Sequence, residues 1–166
     1  MFGRYSILAR QAVMVARLEA GLVGADQIDS EHLLIAVMSV HPELPKLLNA
    51  SIELSQLREQ CDRWHTPSSP ILKSRDLPLT ADLRRVFKRV ESIADGRQCP
   101  EIRTEHLLLS MAEEPCHAAQ LLADCGVSEE PLLALLANVK SEVPQLGTAA
   151  SIEAMKSIFD VPPAGA

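Results

Sequence analysis

Two short stretches place a hydroxyl, a carboxylate and an imidazole side by side. Residues 29–38 read DSEHLLIAVM and residues 103–111 read RTEHLLLSM. Ser30-Glu31-His32 and Thr104-Glu105-His106 therefore hold the residue types of a nucleophile, an acid and a base. Consecutive residues on a helix diverge by about 100°, so neither trio can line up as a hydrolase triad. The order predicts a helix start instead. Ser30 and Thr104 are expected as N-caps, worth about 1 kcal/mol each. Glu31 and Glu105 then become first helical residues, where the helix dipole favours a carboxylate by about 0.3–1 kcal/mol.

A second use of the same residues belongs to another class of protein. In a small helical enzyme or ligand sensor, Glu31, His32, Glu105 and His106 would act as paired acid–base groups across a pseudo-two-fold axis. Two carboxylates in one cleft would then split their pKa values. Outside such a cleft, His32 and His106 are expected to hydrogen-bond across the repeat interface or to face solvent. Neither Cys61-x-x-x-His65 nor Cys116-His117 forms a four-ligand zinc set with normal spacing, so no metal is expected, and no cofactor. The cysteines Cys61, Cys99, Cys116 and Cys125 show no CxxC pair and read as reduced thiols.

The helices that must carry these residues follow from periodicity. Ala9, Ala12, Val13, Ala16 and Ala20 make one stripe on a helix from about Ser6 to Ala20, ended by Gly21 and Gly24. Ser30 opens a second helix bearing Leu33, Leu34, Val37 and Met38, broken at His41-Pro42. A short third helix near residues 43–49 and a fourth near 53–64, with Leu54, Leu57, Cys61 and Trp64, complete the set. Residues 65–79 are rich in proline and serine and read as a linker. The pattern then returns. Leu83, Val86, Phe87, Val90 and Ala94 follow the first stripe at a constant offset (83 − 9 and 94 − 20 are both 74). Thr80 and Thr104 open the next two helices, Leu121 and Leu122 lie on a short one, and Ser128 starts the last.

The chain is thus expected to be all-α, with two tandem four-helix repeats packed by pseudo-two-fold symmetry into one eight-helix domain. The repeats span 1–64 and 80–140. The tail, 141–166, carries at most one short helix. Two such sets can share a core that neither could build alone.

Composition narrows the function. Of 166 residues 47% are hydrophobic and 3% aromatic, and the net charge is −6. An acidic, aromatic-poor chain is a poor nucleic-acid binder, and no apolar run is long enough for a membrane span. A cytoplasmic address is expected. Arg84, Arg85, Lys88 and Arg89 lie on one helix, as a solvated outer face or a docking patch for acidic partners. Phe2 and Tyr5 precede the first helix, either capping the core or lining an apolar groove for a partner.

The repeat resembles the Clp N-terminal repeat domain found at the front of ATP-driven unfoldases of the ClpA, ClpC and ClpB type. The similarity rests on MFGRYSILARQAVMVARLEA, on the doubled DSEHLLIAVM and RTEHLLLSM motif, and on LTADLRRVFKRVESIA, over about residues 1–140. The family commonly has a Gly-His-Asn-aromatic turn before the motif, and a glycine directly before its Ser/Thr. Here GADQI and QCPEI form the turns, and Asp29 and Arg103 replace the glycine.

The resemblance implies a non-catalytic module that recognises substrates, adaptors, a Clp ATPase or the Clp peptidase core. It also implies that Glu31 and Glu105, with Ser30 and Thr104, engage the guanidinium of phosphorylated arginine, as in some ClpC-type members. No GxxxxGK[ST] phosphate loop is present, so a motorless accessory or decoy protein is expected, or alternatively the detached front end of a longer ATPase.

Overall fold

The computed structural model describes residues 2–65, 69, 70 and 76–139, with side chains to residue 138. The chain divides into a unit Met1–Leu136, which holds both repeats as far as Leu136, and a unit Ala137–Ala166. Most of the expected linker and all of the expected tail lie outside the described residues.

The first unit is all helical. The first repeat comprises α1 (Ile7–Leu22), α2 (Ser30–Val40), α3 (Leu44–Leu47) and α4 (Leu54–Cys61). The second comprises α5 (Ala81–Gly96), α6 (Thr104–Glu113), α7 (His117–Asp124) and α8 (Glu129–Val139). Ser6, expected as the start of the first helix, caps α1, and Thr80 caps α5 as expected. Their hydroxyls accept the Ala9 and Leu83 amides at 3.1 and 3.2 Å. After α1 the chain turns through Gly24 at φ 71, and after α5 it turns through Gln98 at φ 54. Glycine suits this left-handed position and glutamine does not.

α2 and α6 form the centre. Residues 30–38 and 104–111 are all buried, so these helices are enclosed on every side and not on one stripe. The expected stripe of Leu33, Leu34, Val37 and Met38 is therefore only part of the buried surface, which also includes Ile35 and Ala36. α1 packs along α2, α5 packs along α6, and α2 meets α6 between them. The core is almost wholly aliphatic, with Leu33, Leu34, Leu83, Leu107, Leu108 and Met111 among its largest buried side chains.

The two-fold relation is visible in two parallel bridges, Tyr5 with Ile102 and Leu79 with Ile28. Each joins the leader of one repeat to the turn of the other. The hydrogen bonds repeat as well. Ser6 N–H donates to Ile102 O at 2.8 Å, and Thr80 N–H donates to Ile28 O at 3.0 Å. Ile102 N–H donates to Arg4 O and Ile28 N–H to Pro78 O, both at 2.8 Å.

Candidate functional site

The motif residues cluster at the N-terminal ends of α2 and α6, and there the structure corrects the predicted caps. Asp29 and Arg103 are the N-caps, while Ser30 and Thr104 are the first helical residues and are buried. Asp29 Oδ1 accepts the Ser30 amide at 2.6 Å and the Thr80 hydroxyl at 3.0 Å. His32 Nδ1 accepts the Asp29 N–H at 3.0 Å, and His106 Nδ1 accepts the Arg103 N–H at 3.0 Å. Imidazole here takes the part that Glu or Gln plays in an ordinary capping box. His32 and His106 thus neither bridge the repeats through hydrogen bonds nor face solvent. Burial holds both rings neutral, with pKa values pushed down to about 4. With Nδ1 accepting, the remaining proton sits on Nε2, which finds no hydrogen-bond partner among the described residues in either ring.

The two ends differ in what surrounds the glutamate. Glu31 is fully buried. Its Oε1 lies 2.7 Å from His65 Nε2, and its Oε2 lies 3.2 Å from His117 Nδ1. His117 Nδ1 also stands 3.7 Å from Asp29 Oδ2. The Trp64 indole stacks on the His117 ring, with centroids 4.3 Å apart and planes 4° from parallel. Ser30 Oγ accepts the amide of Ala118 at the start of α7, 3.1 Å away. This first pole therefore draws on both repeats.

At the second pole, Glu105 Oε2 accepts the Thr104 hydroxyl at 3.2 Å and lies 3.9 Å from Arg103 Nε. Thr104 Oγ1 in turn lies 2.9 Å from His41 Nδ1, reaching over from the first repeat. Each glutamate thus heads its own cluster, and the acid–base pairing of Glu31 with Glu105 expected of an enzyme is replaced by these separate sets.

The remaining candidates fall outside both poles. Tyr5 is buried and Phe2 half-buried. Phe2 packs edge-on against Tyr5 at 5.0 Å and Phe87 at 5.7 Å, which is the core-capping arrangement. Arg84 and Lys88 are exposed. Arg85 pairs with Asp82 at 2.6 Å and Arg89 with Glu113 at 2.7 Å, so part of the basic ridge is neutralised locally. Large apolar side chains are exposed along α1 at Ile7, Leu8, Met14, Leu18 and Leu22. No helix among the described residues is long and apolar enough to cross a membrane.

A duplicated helical fold with paired, cross-braced helix starts is the architecture of a two-repeat all-α domain. Comparison with known proteins agrees. The sequence matches the family described as the Clp repeat N-terminal domain over residues 4–125 and again over residues 79–157, and the chain belongs to that family. Among curated proteins it is 24% identical to the chloroplastic chaperone protein ClpD of Arabidopsis thaliana, over 99% of this chain and 19% of that protein. It is 27% identical to chloroplastic ClpD1 of Oryza sativa subsp. japonica, over 67% of this chain and 13% of that protein. The chain thus spans less than a fifth of the curated relatives it matches.

Among solved structures, the N-terminal domain of ClpD from Arabidopsis thaliana superposes with a TM-score of 0.69 at 22% identity, covering 82% of this chain and 99% of that one. The Hsp104 N-terminal domain from Candida albicans gives 0.61 at 15% identity, covering 77% and 85%. Both share the fold.

Proposed function

We propose that this chain is a non-catalytic recognition module of a Clp unfoldase–protease system, binding substrate or adaptor polypeptides, a Clp ATPase or the peptidase core. Acting in trans, it would present ligands to the unfoldase or withhold them as a decoy. One observation carries the reading. The two central helices each begin with a buried carboxylate, and a histidine of the opposite repeat reaches each helix start. A recovered Clp ATPase, peptidase or adaptor in a pull-down from the native cell is the expected result, and recovery of none counts against the module.

The finer assignment is a phosphoarginine-type ligand at the second pole. A carboxylate pairs with a guanidinium through two parallel hydrogen bonds, and Glu105 has this chemistry. Arg103, one residue before the helix, would meet the phosphate together with the free amides of the helix start. At the first pole the same ligand would have to displace His65 and His117 from Glu31, so Ser30 and Glu31 are assigned the weaker binding. Titration of a phosphoarginine peptide tests this by calorimetry. Losing a charge-assisted pair of about 1.5–3 kcal/mol should weaken binding roughly 10- to 100-fold in Glu105→Ala. Equal affinity of the variant, or no binding to the parent chain, removes the phosphoarginine assignment. The basic ridge at Arg84, Arg85 and Lys88 is the proposed docking patch for acidic partners, and Phe2 adds an apolar edge beside Tyr5.

A further inference from the structure

The first pole contains an arrangement that guanidinium recognition does not require. Asp29, Glu31 and His117 come from two separate chain segments, and their ligand-type atoms all lie within 4.8 Å of one another. His117 Nδ1 is 3.2 Å from Glu31 Oε2 and 3.7 Å from Asp29 Oδ2. Around zinc, with bonds of about 2.0–2.2 Å, neighbouring tetrahedral ligands stand roughly 3.3–3.6 Å apart. The observed spacings bracket that value.

Each of the three groups is also held from behind. Asp29 spends Oδ1 on the Ser30 amide and the Thr80 hydroxyl, leaving Oδ2 toward His117. Glu31 spends Oε1 on His65, leaving Oε2 toward His117. The His117 ring lies flat against Trp64. Such outer hydrogen bonds and packing are what orient metal ligands. Charge points the same way. Two carboxylates, one fully buried and one mostly so, bring two negative charges that a divalent cation balances. Beside them His32 Nε2–H is a buried donor with no described acceptor, and a water completing the ion's sphere would supply one.

We infer that Asp29, Glu31 and His117 form a binding site for a divalent transition-metal ion of the zinc class, positioned by His65 and Trp64. The nitrogen ligand selects against magnesium and calcium, which prefer all-oxygen sites. The second pole does not repeat the site, because Arg103 stands where Asp29 does (103 − 29 and 105 − 31 are both 74).

Trp64 is the chain's single tryptophan and stacks on the proposed ligand, so its emission reports binding directly. The full chain, stripped by chelator, is titrated with Zn²⁺ by calorimetry and with Co²⁺ by absorption, with Trp64 emission followed in both. One ion per chain is expected, with quenching of Trp64 by Co²⁺. His117→Ala should abolish stoichiometric binding. His65→Ala should weaken it roughly 10- to 100-fold, as loss of an outer partner does. Glu105→Ala should leave it unchanged, which separates this site from the recognition reading. Absence of a stoichiometric ion, equal affinity in His117→Ala, or a thiolate charge-transfer band from Co²⁺ would each overturn the assignment.

Discussion

The two poles descend from one repeated motif yet are wired differently. At the first, a buried carboxylate is met by two imidazoles and shares one of them with a second carboxylate. At the second, the carboxylate leans on a hydroxyl and an arginine. The central helices, their cap imidazoles and their leaders are nearly superimposable in pattern. The difference teaches that the fold constrains the inner face of each motif, where Leu33, Leu34, Leu107 and Leu108 pack. The cap before each helix, Asp29 or Arg103, and the side chains that reach its glutamate are what differ between the copies.

Core substitutions give the largest expected effect and test the symmetric half of that statement. Leu34→Ala and Leu108→Ala occupy equivalent, fully buried positions. Each should cost about 2–5 kcal/mol in chemical denaturation. A strongly unequal pair would break the claim that the two halves share one core equally.

Next come the cap imidazoles. Burial depresses His32 and His106 to about 4 in the folded state, from the ordinary histidine value of 6.5. Their neutral native form is fully compatible with folding above pH 6.5. As pH falls from there toward 4, the unfolded chain binds protons that the folded chain refuses, so stability declines across that window. The loss is on the order of 3 kcal/mol per ring. His32→Gln and His106→Gln should each flatten about half of the acid limb in denaturation measured from pH 7 to pH 4. An acid limb that survives in the double variant would place the titration elsewhere.

The hydroxyls sharpen the asymmetry. Ser30→Ala strands the buried Ala118 amide and should cost about 1–3 kcal/mol. Thr104→Ala loses a part-buried contact to His41 and should cost about 1 kcal/mol. Thermal unfolding of the two variants side by side reads the difference. The smallest effect is a gain. Gln98→Gly relieves a left-handed residue where the first repeat already has Gly24, and should stabilise by about 1 kcal/mol.

The architecture was legible because duplication shows itself twice. The 74-residue offset aligned both stripes, and Thr80 marked a real cap. The helix starts at the motif were misplaced by one residue for a local reason. Asp29 precedes Ser30 and both can cap, and at the second copy no residue but Thr104 looks like a cap at all. The N-cap there is Arg103, whose own backbone amide is served by His106. A capping box built on histidine has no signature in the usual Ser/Thr-x-x-Glu pattern.

The first pole itself was hidden because its members are scattered. His65 and His117 reach Glu31 from 34 and 86 positions away. Spacing rules look for ligands one turn apart on the same element, so Cys61-x-x-x-His65 and Cys116-His117 drew attention for the wrong partners. His65 and His117 matter through Glu31.

The crossed leaders have a consequence for how the repeats hold together. The residue before each repeat's first helix is bridged to the other repeat, Tyr5 to Ile102 and Leu79 to Ile28. A single repeat cut loose would carry a leader with nothing to pair with and a turn with nothing to clasp. Both clasps close within one chain, so each repeat finds its partner at an effective concentration that dilution does not lower.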